Sequence, residues 1–206
     1  MTCLAIDTSG NHLTVLLIKD DLVFCEYVSD INLKHSVTLM SQIENLLLSS
    51  GVNLSEVDVF CAVTGPGSFT GIRIGVSTVK ALAYAFNKKV LEVTSFETLA
   101  YNSEEGKVLS VIDAKHKNYY VCGFNNYEIE VKPCFISFDE LCSLSKDYKI
   151  YSDVSLDIDH TVADIKNGLI KAVKNKLSLA TFERESLVPL YVKKSQAEEE
   201  AKWYFL

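Results

Sequence analysis

Three sets of residues in this chain could do chemistry. The first is the run Gly65-Pro66-Gly67-Ser68-Phe69-Thr70-Gly71, which follows an apolar stretch over residues 57–63 and precedes a helical period through Ile72, Val76, Val79, Leu82, Ala83 and Phe86. Glycines between a strand and a helix let backbone amides face an anion, so this loop is a candidate phosphate cradle. It is not a P-loop, because Gly71 is followed by Ile72-Arg73 rather than Lys-Ser or Lys-Thr. The spacing of Gly65, Gly67 and Gly71 is one residue too long for a dinucleotide fingerprint. The plainer reading is a tight turn followed by a helix capped by Ser68 or Thr70.

The second set is Asp7-Thr8-Ser9-Gly10 and Asp113-Ala114-Lys115-His116, each Asp closing an apolar run. A carboxylate at a strand end can meet a metal-bound phosphate or close a hairpin corner, and short polar side chains favour the corner. The second copy also lacks the glycine that would turn amides toward a phosphate. The third set is His12, His35, His116 and His160 with Cys3, Cys25, Cys61, Cys122, Cys134 and Cys142. No two histidines are three or four residues apart and no Cys-x-x-Cys occurs, so no metal site is expected. Neither Ser9 nor Ser68 lies in a Gly-x-Ser-x-Gly elbow, so no nucleophile and base are expected either.

The elements that must position these groups repeat along the chain. Apolar strands over residues 3–7, 13–18 and 22–28 form a meander. A helix capped by Ser36 follows, with Val37, Met40, Ile43, Leu46 and Leu47 on its apolar face and Gly51 as its stop. After the strand over 57–63 and the glycine loop, a helix over 71–87 is apolar nearly all round, and Gly71 and Gly75 permit close helix approach. A short strand over 90–93 and a capping box at Thr94-x-x-Glu97 come next. The polar run 103–107 divides the chain into residues 1–102 and 103–206. The pattern then restarts with strands over 108–113, 119–124 and 127–136, a short helix over 139–144, a strand over 148–151 and a helix over 162–177 that carries Val162 on its apolar face. Ile6-Asp7 matches Ile112-Asp113 in place, an internal repeat. The tail over 196–206, with Glu198-Glu199-Glu200 and Trp203-Tyr204-Phe205, reads equally as a docked helix or a frayed end.

With 206 residues, 48% of them apolar, the chain is large enough for one domain or two small ones. Mean hydropathy is only +0.14 and no apolar run reaches a membrane-spanning length. The start has no signal-peptide pattern, so a cytoplasmic protein with reduced, buried cysteines is expected. A net charge of -7 argues against direct capture of nucleic acid, which needs clustered Lys and Arg.

The string from Gly65 through Gly75 resembles the signature loop of the bacterial TsaB (YeaZ) family, partner proteins for making threonylcarbamoyladenosine in tRNA. Leu4-Ala5-Ile6-Asp7-Thr8-Ser9, His35-Ser36 and Val111-Ile112-Asp113-Ala114-Lys115 agree with it, in order. The likeness is strong over residues 3–125 and loose beyond. It implies an α/β chain with the duplicated ribonuclease-H-like fold of actin and the sugar kinases (the ASKHA fold), with mixed sheets, helices and a reduced second half. In such ATPases each half supplies an Asp and a phosphate turn. Asp7, Thr8, Ser9 and Asp113 would then mark a vestigial nucleotide cleft, and Gly168 alone replaces the late glycine pair.

The resemblance further implies a non-catalytic scaffold. Its paralogue TsaD transfers threonylcarbamoyl from an adenylate to the adenosine beside the anticodon. A TsaE-type ATPase docks on the pair, tRNA is met mainly through the complex, and the lone chain self-associates as a homodimer. ATP and metal are expected on the partners, with no cofactor of its own. The implied interface is His35, Ser36, Leu39, Met40, Ile43, Leu46 and Leu47 of one helix with Ile72, Arg73, Val76, Val79, Leu82 and Ala83 of the next, the loop from Gly65 to Gly71 supporting it. The alternatives are an ATP-dependent kinase-like enzyme using Asp7, Thr8 and Ser9, and a peptidase acting on its partner.

Overall fold

The computed structural model describes residues 1–31 and 34–193. The predicted tail over 196–206 lies outside the described residues. Two five-stranded sheets carry the chain. β1 (Thr2–Asp7), β2 (His12–Lys19), β3 (Leu22–Ser29), β4 (Val59–Val63) and β5 (Lys89–Val93) form the first, in the order β3-β2-β1-β4-β5. β6 (Lys107–Asp113), β7 (Asn118–Asn125), β8 (Glu128–Ser137), β9 (Lys149–Ser152) and β10 (Thr161–Val162) form the second, in the order β10-β9-β6-β7-β8. Both begin as an antiparallel meander and continue with parallel neighbours. The repeat in the sequence is therefore a repeat of topology, and the chain has the duplicated ribonuclease-H-like α/β fold.

Both faces of the first sheet are covered, which is why β1 reads as an unbroken apolar run rather than an alternating one. Leu4, Ile6, Phe60 and Ala62 meet α1 (His35–Ser50) and α2 (Phe69–Ala85). Cys3, Ala5, Val59 and Cys61 face the other way, against Leu169, Ala172 and Val173 of α5 (Ile165–Lys176). On the second sheet Val108, Ile112 and Tyr151 meet α3 (Ser95–Ala100), while Leu109, Val111 and Ile150 meet Leu141 of α4 (Phe138–Leu144). Helices α3 and α5 thus lie between the sheets. All six cysteines are free, and burial pushes the Cys3 thiol up to about 12.

Several element ends differ from expectation: β4 starts at Val59, α2 runs over Phe69–Ala85 rather than 71–87, and three further helix starts each have a local reason. Helix α1 starts at His35 with Lys34 in the cap position and no side-chain cap, so Ser36 is not the cap. Helix α5 starts at Ile165 because the Asp164 carboxylate accepts from the Asn167 amide. Val162 belongs to β10 and is exposed, so it is not on that helix. Helix α4 starts one residue early, where Ser137 and Glu140 close a capping box. The second half is reduced at one place: residues 153–160 join β9 to β10 where the first half has the glycine loop and α2. Among the described residues no helix is long and apolar enough to cross a membrane.

Gly168 marks the crossing of α5 and α3. A Cβ there would stand 1.8 Å from the Thr98 carbonyl oxygen. Gly to Ala inside a helix ordinarily gains up to about 1 kcal/mol. Here the clash reverses the sign, and Gly168→Ala is predicted to lose about 1–3 kcal/mol, read as a lower urea midpoint. An unchanged or raised midpoint would contradict this helix crossing.

Candidate functional site

The glycine loop is filled by the chain itself. Ser68 caps α2, its hydroxyl accepting from the Gly71 amide at 3.2 Å. The turn between β1 and β2 then seats in the loop: the Ser68 amide donates to the Ser9 carbonyl at 2.6 Å, and the Thr8 hydroxyl donates to the Gly71 carbonyl at 2.7 Å. A Cβ at Gly67 would lie 2.2 Å from Ser9 O, at Gly71 2.0 Å from Thr8 O, and at Gly75 2.5 Å from Thr8 Oγ1. These glycines are required by that approach. The pair Gly71 and Gly75 faces the end of β1 and its turn rather than another helix, which corrects the expectation from their spacing.

The two predicted aspartates close matching corners. Asp7 is 1% exposed, and its Oδ1 accepts from the Ser9 amide at 2.8 Å and the Ser9 hydroxyl at 2.7 Å. Asp113 Oδ1 accepts from the Lys115 amide at 2.8 Å, the same turn at the end of β6. In place of glycine, Lys115, His116 and Lys117 adopt φ of 68°, 55° and 58°, left-handed backbone that non-glycine residues rarely take. The Lys115 ammonium is held by Asp113 Oδ2 at 2.8 Å.

Two residues that sequence reasoning passed over complete the cleft. His12 Nε2 lies 3.1 Å from Asp7 Oδ2, and its ring stacks on Tyr27. Asp153, just past β9, reaches across from the second half and lies beside Gly10 and His12. Burial pushes Asp7 up, but the His12 charge and the Ser9 bonds outweigh it and hold the carboxyl below its usual range. Burial pushes His12 down, and Asp7, with a weaker contribution from Asp153, more than reverses this and raises it. Burial raises Asp153, whose Oδ1 is buried with no hydrogen-bond partner among the described residues. The only signals in the sequence were an Asp directly after a strand and a His five residues past Asp7.

This arrangement limits the chemistry. Asp7 stands between Ser9 and His12, so the group that accepts from the Ser9 hydroxyl is a carboxylate and not an imidazole; a triad needs the imidazole in the middle. The polar cavity between Asp7, His12, Ser95, Thr98 and Asp153 is about 20 Å³, the size of one water. Outside it a wider cleft of about 470 Å³ opens between Gly10, Ser68 and Asp113, and its lining carries two carboxylates, Asp113 and Asp153, with the Lys115 ammonium already held by Asp113. Among the described residues no three His, Cys, Asp or Glu side chains group closely enough to hold a metal.

The thirteen predicted interface residues divide by orientation. His35, Leu39, Ile43, Leu46, Ile72, Val76, Val79 and Ala83 are buried, Leu39 at the floor of the groove between the two helices. His35 is further committed through Nε2 to the His12 carbonyl at 2.9 Å. Ser36, Met40 and Arg73 are exposed, and Leu47 and Leu82 half-buried. Val37, Leu48, Phe69 and Tyr84 join them on the outer side of the two helices. Met40, Ile74 and Arg73 border a groove of about 540 Å³ between α1 and α2.

The His12–Asp7 pair gives a pH prediction. Because His12 holds its proton more tightly when folded, its contribution is full below the ordinary histidine pKa of about 6.5 and is lost as pH rises through the raised value. The thermal midpoint of the wild type should therefore fall more between pH 6 and pH 9, about the histidine range, than that of His12→Gln. Parallel profiles would contradict the pairing.

Comparison with known proteins fits this geometry. Residues 29–181 match the family model TsaD, described as tRNA N6-adenosine threonylcarbamoyltransferase. The chain is 36% identical over 122 residues to the tRNA threonylcarbamoyladenosine biosynthesis protein TsaB of Bacillus subtilis, covering 58% of this chain and 53% of that one. With TsaB of Escherichia coli it shares 30% over 124 residues, again 58% and 53%. The chain thus matches about half the length of these curated relatives. In structure it is similar to a Pseudomonas aeruginosa protein described as resembling peptidase YeaZ, with a TM-score of 0.78, 23% identity and coverage of 93% and 99%; at that identity the likeness shows the fold. The chain therefore belongs to the family that the TsaD model describes, and within it to the TsaB (YeaZ) group.

Proposed function

We propose that this chain is a non-catalytic subunit for making threonylcarbamoyladenosine in tRNA. It docks on a TsaD-type paralogue through the outer side of α1 and α2. The paralogue carries the metal, the nucleotide chemistry and the transfer of threonylcarbamoyl from threonylcarbamoyl-AMP to the adenosine next to the anticodon. A TsaE-type ATPase joins the pair, tRNA is engaged mainly through the complex, and the chain alone pairs with a second copy. The assembly works in the cytoplasm.

The observation that carries this reading is a contrast between two surfaces. The cleft groups are bonded in two sets, Asp7 with Ser9 and His12, and Asp113 with Lys115. Helices α1 and α2 leave Val37 75%, Met40 53%, Leu48 75%, Phe69 41% and Tyr84 50% exposed, and of these Met40 and Phe69 line a groove between the two helices. Apolar side chains gathered in this way mark association surfaces. The family match and the names of the relatives support the pathway. Two observations weigh against the alternatives: the Ser68 amide of the glycine loop is used by the Ser9 carbonyl, and the Ser9 hydroxyl meets Asp7 rather than an imidazole.

The experiment is association with the paralogue by sedimentation velocity. Met40→Asp puts a charge in the groove at a position that is not in the core, so folding is retained. It is predicted to weaken the complex by about 2 kcal/mol or more, the scale of an interface hot spot. Wild-type affinity for this variant would contradict the docking face. Val79 is unsuitable for this test, since it is 0% exposed and a charge there would unfold the chain.

A further inference from the structure

We infer that Arg73 is a preset anchor for one carboxylate, an Asp or Glu on a helix of the paralogue that enters the groove between α1 and α2; this rests on the docking reading above. The guanidinium is held in place before any partner arrives. Its Cζ lies 3.8 Å from the centroid of the Phe69 ring, and its Nε donates to the Tyr191 hydroxyl at 2.8 Å. The Phe69 and Tyr191 rings themselves stack at 5.0 Å. Tyr191 is fixed in turn, because the neighbouring Leu190 amide donates to the Thr64 carbonyl at 2.8 Å at the entry of the glycine loop.

The clamp uses Nε and one face of the plane. Both Nη groups remain without a hydrogen bond or an ion pair to any described residue. Among the described residues Arg73 is the one cation lining the groove, and no carboxylate lines it. The other nearby cation of α2, Lys80, is already paired with Glu185 at 3.1 Å. A guanidinium held by stacking loses little freedom on binding, and its two Nη groups match a carboxylate end-on. The apolar walls, Leu39, Met40 and Ile74, favour a helix whose carboxylate is flanked by apolar side chains. They argue against a phosphate backbone, which needs several cations, on a chain of net charge -7. A second copy is a poorer occupant, since α1 and α2 together offer it only Glu44 as a carboxylate.

The test is titration of the paralogue with the full chain at low and high salt. Arg73→Ala is predicted to weaken binding about 10- to 100-fold and to flatten its salt dependence, with the melting temperature unchanged. Arg73→Lys should recover little of the loss, because an ammonium neither stacks nor forks. Tyr191→Phe, which keeps the stacked ring and removes only the hydroxyl that accepts from Nε, should cost several-fold. If Arg73→Ala binds like wild type while Met40→Asp does not, the anchor is overturned and the docking face stands. If neither variant weakens binding, both readings fall. If Arg73→Ala weakens self-association alone, the occupant is a second copy and the inference is wrong.

Discussion

The structure depends on one close approach between two pieces of backbone. The turn after β1 is pushed into the loop before α2 until the Ser68 amide meets the Ser9 carbonyl and the Thr8 hydroxyl meets the Gly71 carbonyl. No side chain fits between them, so Gly67, Gly71 and Gly75 are obligatory at those positions. The contact sets the height of α2 on the sheet and fixes the corner at Asp7. It also occupies the Ser68 amide of the glycine loop, which is bonded to the Ser9 carbonyl. One interaction thus accounts for a conspicuous motif and for the placement of a helix.

The two halves show what duplication kept and lost. Both retain the strand order, and both close the end of their first strand with the same aspartate turn. The first half adds a glycine loop and a long helix. The second has neither, and uses the space for residues 153–160, which bring Asp153 to His12. The second half therefore contributes a charged residue to the closure of the cleft. Its final segment also crosses back to the first half. The antiparallel bridge of Thr181 to Val90, the Arg184 contacts to Asn87 and Lys88 and the Tyr191 bond to Arg73 run that segment along α2 from its last turn to its first.

Much of this was legible in the residues. The strand runs, the capping box at Thr94, the stop at Gly51 and the match of Ile6-Asp7 with Ile112-Asp113 depend on local chemistry, and the sequence carries local chemistry directly. Orientation was not legible. Helix α2 is apolar nearly all round, so its period cannot say that Ile72, Val76 and Val79 take the sheet side and Arg73 the outside; only the seating of Gly71 and Gly75 on β1 decides it. The pairing of His12 with Asp7 is close in sequence but has no periodic signal to announce it, and the approach of His12 to Asp153 and the clamp of Tyr191 on Arg73 join residues far apart in the chain. Ser36 was misread as a cap because its type favours that position, whereas burial of His35 against the His12 carbonyl begins the helix two residues earlier.

The central claim is that the glycine loop serves the chain's own fold and not a nucleotide. Isothermal titration of Mg-ATP into the isolated protein tests it most directly. The account predicts no saturable binding through the millimolar range. Micromolar binding that is lost in Asp7→Ala would contradict it, since Asp7 would then be a ligand group and not the closed corner seen here.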